Sequence, residues 1–207
     1  SVVAGSVITD EVRGIIDTVD LGSTAVYLGG SAAVSQAITG QISSDLARSE
    51  AIAIPLTIIL LLIVFGSMVA AGMPLLVGLA SIFGSFFVLY LLTYLTDVSV
   101  FALNLVTGLG LGLGIDYSLL IVSRFREELA SGKEVSAAVA RTVASAGRTV
   151  VFSGLTVALT LAALLFFPQF FLRSFAFGGI SVVAFAVIGA VIVLPAVLGL
   201  LGQRINS

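Results

Sequence analysis

Residues 51–96 contain no charged side chain over 46 positions. A helix needs about 20 apolar residues to cross a bilayer, so this stretch is too long for one crossing and must contain two. Gly72-Met73-Pro74 is the natural divider, because proline is favoured at a helix start. The predicted spans are therefore 52–69 and 75–95. Three more follow at 101–123, at 149–167 before Pro168, and at 174–201, where Pro195 should bend the last turns. Only 10% of the residues are charged, against about 25% in a soluble domain, and the mean hydropathy is +1.24. The predicted fold is an all-α polytopic membrane protein of five transmembrane helices.

Residues 1–50 read differently. They carry Asp10, Glu11, Asp17, Asp20, Asp45 and Glu50 with Arg13 and Arg48. Val12, Ile15, Ile16 and Val19 have helical spacing behind a Thr9 or Asp10 cap. Residues 24–28 read as a short strand ended by Gly29-Gly30, and 31–50 as a second helix that runs into the membrane. This is a small α/β remnant of a water-exposed domain, and the chain reads as a piece that begins partway through a longer protein.

The basic residues set the orientation. Arg124, Arg126, Lys133, Arg141 and Arg148 fall in the loop 124–148, whereas the other short loops hold at most Arg173. With 124–148 in the cytoplasm, residues 1–50 lie outside the cytoplasmic membrane. Val135, Val139, Thr142 and Val143 would share one side of a helix over 133–146. That helix could lie along the inner membrane surface or act as a soluble connector. Glu127 and Glu128 read as a solvated end to the third helix, and Asp97 as a hydrated loop residue. Tyr90, Tyr94, Phe166, Phe167, Phe170 and Phe171 read as interfacial anchors at outer span ends.

Cysteine and histidine are absent, which removes disulfides, thiolate nucleophiles, the usual zinc ligands and Ser-His or Cys-His triads. No metal or cofactor is expected, and the charge balance offers no basic surface for nucleic acid. The chemistry-bearing feature is Asp116. The 18 residues before it, 98–115, are uncharged, and the next charge is Arg124. A mid-span carboxylate costs about 2.5–3.5 kcal/mol on insertion scales, and intramembrane ionisable residues are functional by default. Gly108 and Gly112 form one row of small residues with Asp116. Gly110, Gly114 and Ser118 form another. On that spacing the carboxylate should face a neighbouring helix. Tyr117 adds a hydroxyl that can donate to a carboxylate or pass a hydrogen bond onward. Ser153, near the start of the fourth span, can bond across to the third or back to its own helix. Gly154, Ala158 and Ala162 repeat the small-residue spacing there.

The run Gly112-Leu-Gly-Ile-Asp116-Tyr117-Ser-Leu-Leu-Ile-Val-Ser-Arg-Phe-Arg-Glu-Glu128 resembles the MMPL (mycobacterial membrane protein large) branch of the resistance-nodulation-division transporters. Residues 147–153 (Gly-Arg-Thr-Val-Val-Phe-Ser), 164–168 (Leu-Leu-Phe-Phe-Pro), 27–30 (Tyr-Leu-Gly-Gly) and 50–55 (Glu-Ala-Ile-Ala-Ile-Pro) are similar too. The resemblance implies twelve spans in two halves, each half with an outer ferredoxin-like domain after its first span. This chain would be spans two to six of the first half, preceded by the end of the outer domain at 1–50. It implies that Asp116 and Tyr117, with Ser153 beside them, form half of a proton relay whose other half lies in the missing C-terminal part. The implied function is proton-driven export of lipids or other hydrophobic molecules, not enzymatic catalysis, by a homotrimer or a monomer.

Other readings are a sterol-sensing-like lipid sensor or scaffold, and a protein-export accessory of the same superfamily. An intramembrane aspartyl protease fits poorly. It needs two facing aspartates, and Ile115 separates Asp116 from the preceding Gly-x-Gly.

Overall fold

The computed structural model describes residues 11, 12, 14–16, 18 and 30–202. The strand predicted at 24–28 lies outside them, and among the described residues no strand occurs. The chain divides into two units, Ser1–Thr57 and Ile58–Ser207. In the first, the described positions between 11 and 18 are helical, and α1 (Ser31–Phe65) begins. Its polar stretch is supported by a Gln41–Asp45 side-chain bond one turn apart and by Ser49 donating to the Asp45 carbonyl.

The second unit contains the end of α1 and the remaining helices. These are α2 (Met68–Leu92), α3 (Val100–Ala130), α4 (Val135–Thr142), α5 (Arg148–Ala162), α6 (Phe170–Ile188) and α7 (Leu194–Leu201). A π turn, Val143–Gly147, joins α4 to α5, and another, Gly189–Val193, joins α6 to α7. Among the described residues five helices are long and apolar enough to cross a membrane: Gln36–Phe65, Ala70–Leu92, Val100–Ala130, Val135–Phe166 and Phe170–Leu201.

The break between the first two spans differs from the prediction. It falls at Gly66-Ser67, and Pro74 sits inside α2. Gly66 has φ +63°, a left-handed conformation that glycine adopts without a Cβ penalty. Ser67 caps α2 by accepting from the Ala70 N–H, and Arg126 donates to the Phe65 carbonyl at 2.9 Å, satisfying the end of α1. Pro74 lies buried in the first turns of α2, and prolines are tolerated within membrane helices.

The segment after α3 also differs. α4 runs on into α5 through the π turn, and Val135–Phe166 together are long and apolar enough to cross a membrane. Ala138 and Thr142 are buried, and Val135 and Val139 reach Gly202 and Gly199. The apolar side of α4 therefore meets α3 and α7. The irregularity expected at Pro195 takes the form of the π turn just before it. A proline ring clashes with the carbonyl four residues earlier, and an inserted residue relieves that clash.

α3 is the central helix, packed against α2 and α6. Two apolar clusters surround it. One contains Leu61, Phe65, Tyr117, Ile121, Phe125, Val150 and Leu198 toward the basic end. The other contains Ile82, Leu89, Ala102, Val106 and Val182 toward the opposite end. At that opposite end the turn after α2 is fastened to α6. The Ser99 N–H donates to the Ser174 hydroxyl at 3.1 Å, which in turn donates to the Phe170 carbonyl at 3.0 Å. Tyr90 and Tyr94 pair there through their hydroxyls at 2.7 Å, and their side chains, like those of Phe166 and Phe170, are exposed, as interfacial anchors require.

Candidate functional site

Four glycines at alternate positions weaken α3 as an isolated helix by roughly 1 kcal/mol each relative to alanine. The helix persists for 31 residues because close contact replaces that loss. At 100° per residue, an offset of two places the two rows of small residues about 200° apart, on nearly opposite sides. The Gly110–Gly114–Ser118 row packs inward. A Cβ on Gly114 would stand 2.5 Å from the Gly78 Cα, so the backbones of α2 and α3 touch there. A Cβ on Gly110 would meet Ile82 at 2.5 Å and Val182 at 3.1 Å.

The Gly108–Gly112–Asp116 row faces the other way. Nothing lies within 4 Å of a Cβ on Gly108 or Gly112, and Asp116 is exposed. Its carboxylate makes no hydrogen bond or ion pair among the described residues. The expectation that Asp116 faces a neighbouring helix is therefore not met among the described residues. Rows two residues apart cannot both face α2 and α6, and the tighter fit belongs to Gly110 and Gly114.

Tyr117, one residue on, turns inward and is 6% exposed, with no partner for its hydroxyl among the described residues. That hydroxyl lies 3.7 Å from a Cβ built on Gly154 of α5. Ser153, next to that glycine, is half-buried. Thr156 and Thr160 on the same helix donate back to the Phe152 and Thr156 carbonyls at 2.9 Å, but Ser153 makes no such bond among the described residues. The fold thus brings Tyr117 to Gly154 of α5 and leaves Asp116 on the adjoining open side.

Two features escaped sequence reasoning. Ser118 is fully buried and its Oγ also has no partner among the described residues. Glu128 is not solvated. It is 4% exposed, held by Arg124 at 2.6 Å and by Lys133, which reaches back across the Gly132 turn. Glu127 remains exposed, paired with Arg124 at 2.8 Å. The positive φ of Gly132 (84°) reverses the chain so that Lys133 can meet Glu128. The signal was present in the Glu-x-x-x-Gly-Lys spacing, but the burial depended on the packed structure.

Residues 4–207 match the MMPL family. The chain belongs to the MMPL family. It is 46% identical over 88% of its length to a membrane protein of Streptomyces coelicolor. It is 43% identical over 88% of its length to the trehalose monomycolate exporter MmpL3 of Mycobacterium tuberculosis. It is also 37% identical over 88% of its length to the mycolic acid-containing lipids exporter MmpL11 of Mycolicibacterium smegmatis. The chain spans 26% of the Streptomyces protein and 19% of each exporter. Family membership and five membrane-crossing helices together make this MMPL chain a multi-pass membrane protein.

Proposed function

We propose that this chain is the first-half membrane core of a proton-driven lipid exporter, with Asp116 and Tyr117 as half of an intramembrane proton relay and Ser153 beside them. The observation that carries the reading is the mid-span carboxylate of Asp116, set on an open row with Gly108 and Gly112 and lacking a partner among the described residues. A carboxylate left in lipid is expensive. An unfilled glycine row beside it suits close approach by another helix, and the second half of the transporter would supply that helix. Asp116 would be the proton-binding group of that relay. The Tyr117 hydroxyl, enclosed beside Gly154 and without a partner among the described residues, would join the relay from the inner side of α3. The relatives named as exporters of trehalose monomycolate and of mycolic acid-containing lipids support a lipid as cargo. Residues 1–50 would belong to the extracytoplasmic domain, 51–207 to the transmembrane domain, and 124–148 to its cytoplasmic loop, in the cytoplasmic membrane.

The test uses the full-length protein in its native host. Asp116→Asn keeps the size of the side chain and removes its titration. Lipids extractable from the cell surface are measured by mass spectrometry against cells lacking the gene. The expected result is the deletion profile at a normal membrane level of the protein. A wild-type surface profile in Asp116→Asn cells would reject the relay and shift weight to a lipid sensor or a protein-export accessory.

A further inference from the structure

α5 is sparsely enclosed, and only two of its residues, Val150 and Gly154, are buried. Gly154 is also where the Tyr117 hydroxyl arrives. A Cβ there would collide with Val187 Cγ2, lie 3.5 Å from Val183 Cγ1, and stand 3.7 Å from the hydroxyl. Three helices thus meet at one notch: α3 through Tyr117, α5 through Gly154, and α6 through Val183 and Val187. The hydroxyl within it is buried and unpartnered among the described residues. A buried hydroxyl without an acceptor is costly, and this notch fixes where it is held. Val187 is short and β-branched, with few rotamers to yield, so an added methyl group must displace α6, α5 or the tyrosine.

We propose that Gly154 is a positioning residue for the Tyr117 hydroxyl, its missing side chain letting α6 seat Val187 against α5 and hold that hydroxyl in register for the relay. The part played in export rests on the relay reading above; the positioning does not. The experiment places 3-fluorotyrosine at position 117 of the full-length protein and reads its ¹⁹F shift, alongside surface-lipid export in cells. Gly154→Ala is expected to move the ¹⁹F resonance and to cut export roughly ten- to a hundredfold, the scale for displacing a working group on the order of 1 Å. Val187→Ala in the same chain removes the obstructing methyl groups and should return both readouts to wild type.

An unmoved resonance in Gly154→Ala, or a double variant that accumulates normally yet stays displaced and inactive, would overturn the proposal. If Gly154→Ala does not accumulate, Val187→Leu fills the notch from the facing helix and is scored by the same two readouts. Wild-type export by Asp116→Asn would sink the relay while leaving the ¹⁹F result to decide positioning. An inactive Asp116→Asn beside a fully active Gly154→Ala would sink only the positioning role.

Discussion

At the scale of single residues, the notable contrast is between two carboxylates on one helix. Asp116 sits mid-span without a partner among the described residues, and Glu128, three turns on, is buried but clamped by Arg124 and Lys133. Burying a charge is tolerable only when it is paired, so Glu128 is a structural carboxylate, whereas Asp116 is the one the proposed relay uses. Glu128→Ala should leave Arg124 and Lys133 facing each other. Both cations are partly exposed, so water offsets much of the loss. A destabilisation of about 1–3 kcal/mol is expected, measured as a lower melting temperature in detergent, with export retained once the protein is in the membrane. Asp116→Asn should show the opposite pattern, normal melting and lost export.

At the scale of elements, the two glycine rows of α3 separate packing within the chain from the open side. Gly114→Ala drives a methyl group into the α2 backbone at Gly78, which cannot rotate away. It should destabilise by about 1–3 kcal/mol and lower the amount of protein in the membrane, read by quantitative blotting. Gly112→Ala meets open space in this chain. It should accumulate normally and reduce export only if another helix docks on that row; unchanged export would argue against docking there. Gly66→Ala forces a Cβ into a left-handed turn and should cost about 1–2 kcal/mol, again read by melting. Sequence reasoning found the rows from spacing alone but chose the wrong divider between the first two spans. Pro74 is the louder local signal. The turn instead follows Gly66, the residue that can adopt positive φ.

At the scale of the whole molecule, the positive-inside reading predicts which loops face the cytoplasm. The 207 residues contain no cysteine, so single cysteines at Thr96 and Ser131, two exposed turn positions, report topology in a background cleared of any others. A membrane-impermeant maleimide applied to intact cells should label Thr96→Cys and spare Ser131→Cys. The reverse pattern would invert the orientation and place residues 1–50 inside. Much large apolar surface remains exposed on α1 and α5, including Ile63, Leu159 and Phe152, as lipid or a further set of helices requires.

The sequence by itself determined that this chain crosses a membrane five times and that Asp116 is its costly residue. Both follow from counting charges against the thickness of a bilayer, a property of local composition. It also showed the Asp-Tyr and small-residue spacings that tie the chain to its family. Tertiary structure decided which glycine row packs and which stays open, that Tyr117 is enclosed while Asp116 is not, and that Glu128 is buried. It also decided that α4 continues into α5 through a π turn and packs on α3 and α7. Those outcomes depend on which helix reaches which face first, and contact between separate helices leaves no periodic mark on either one.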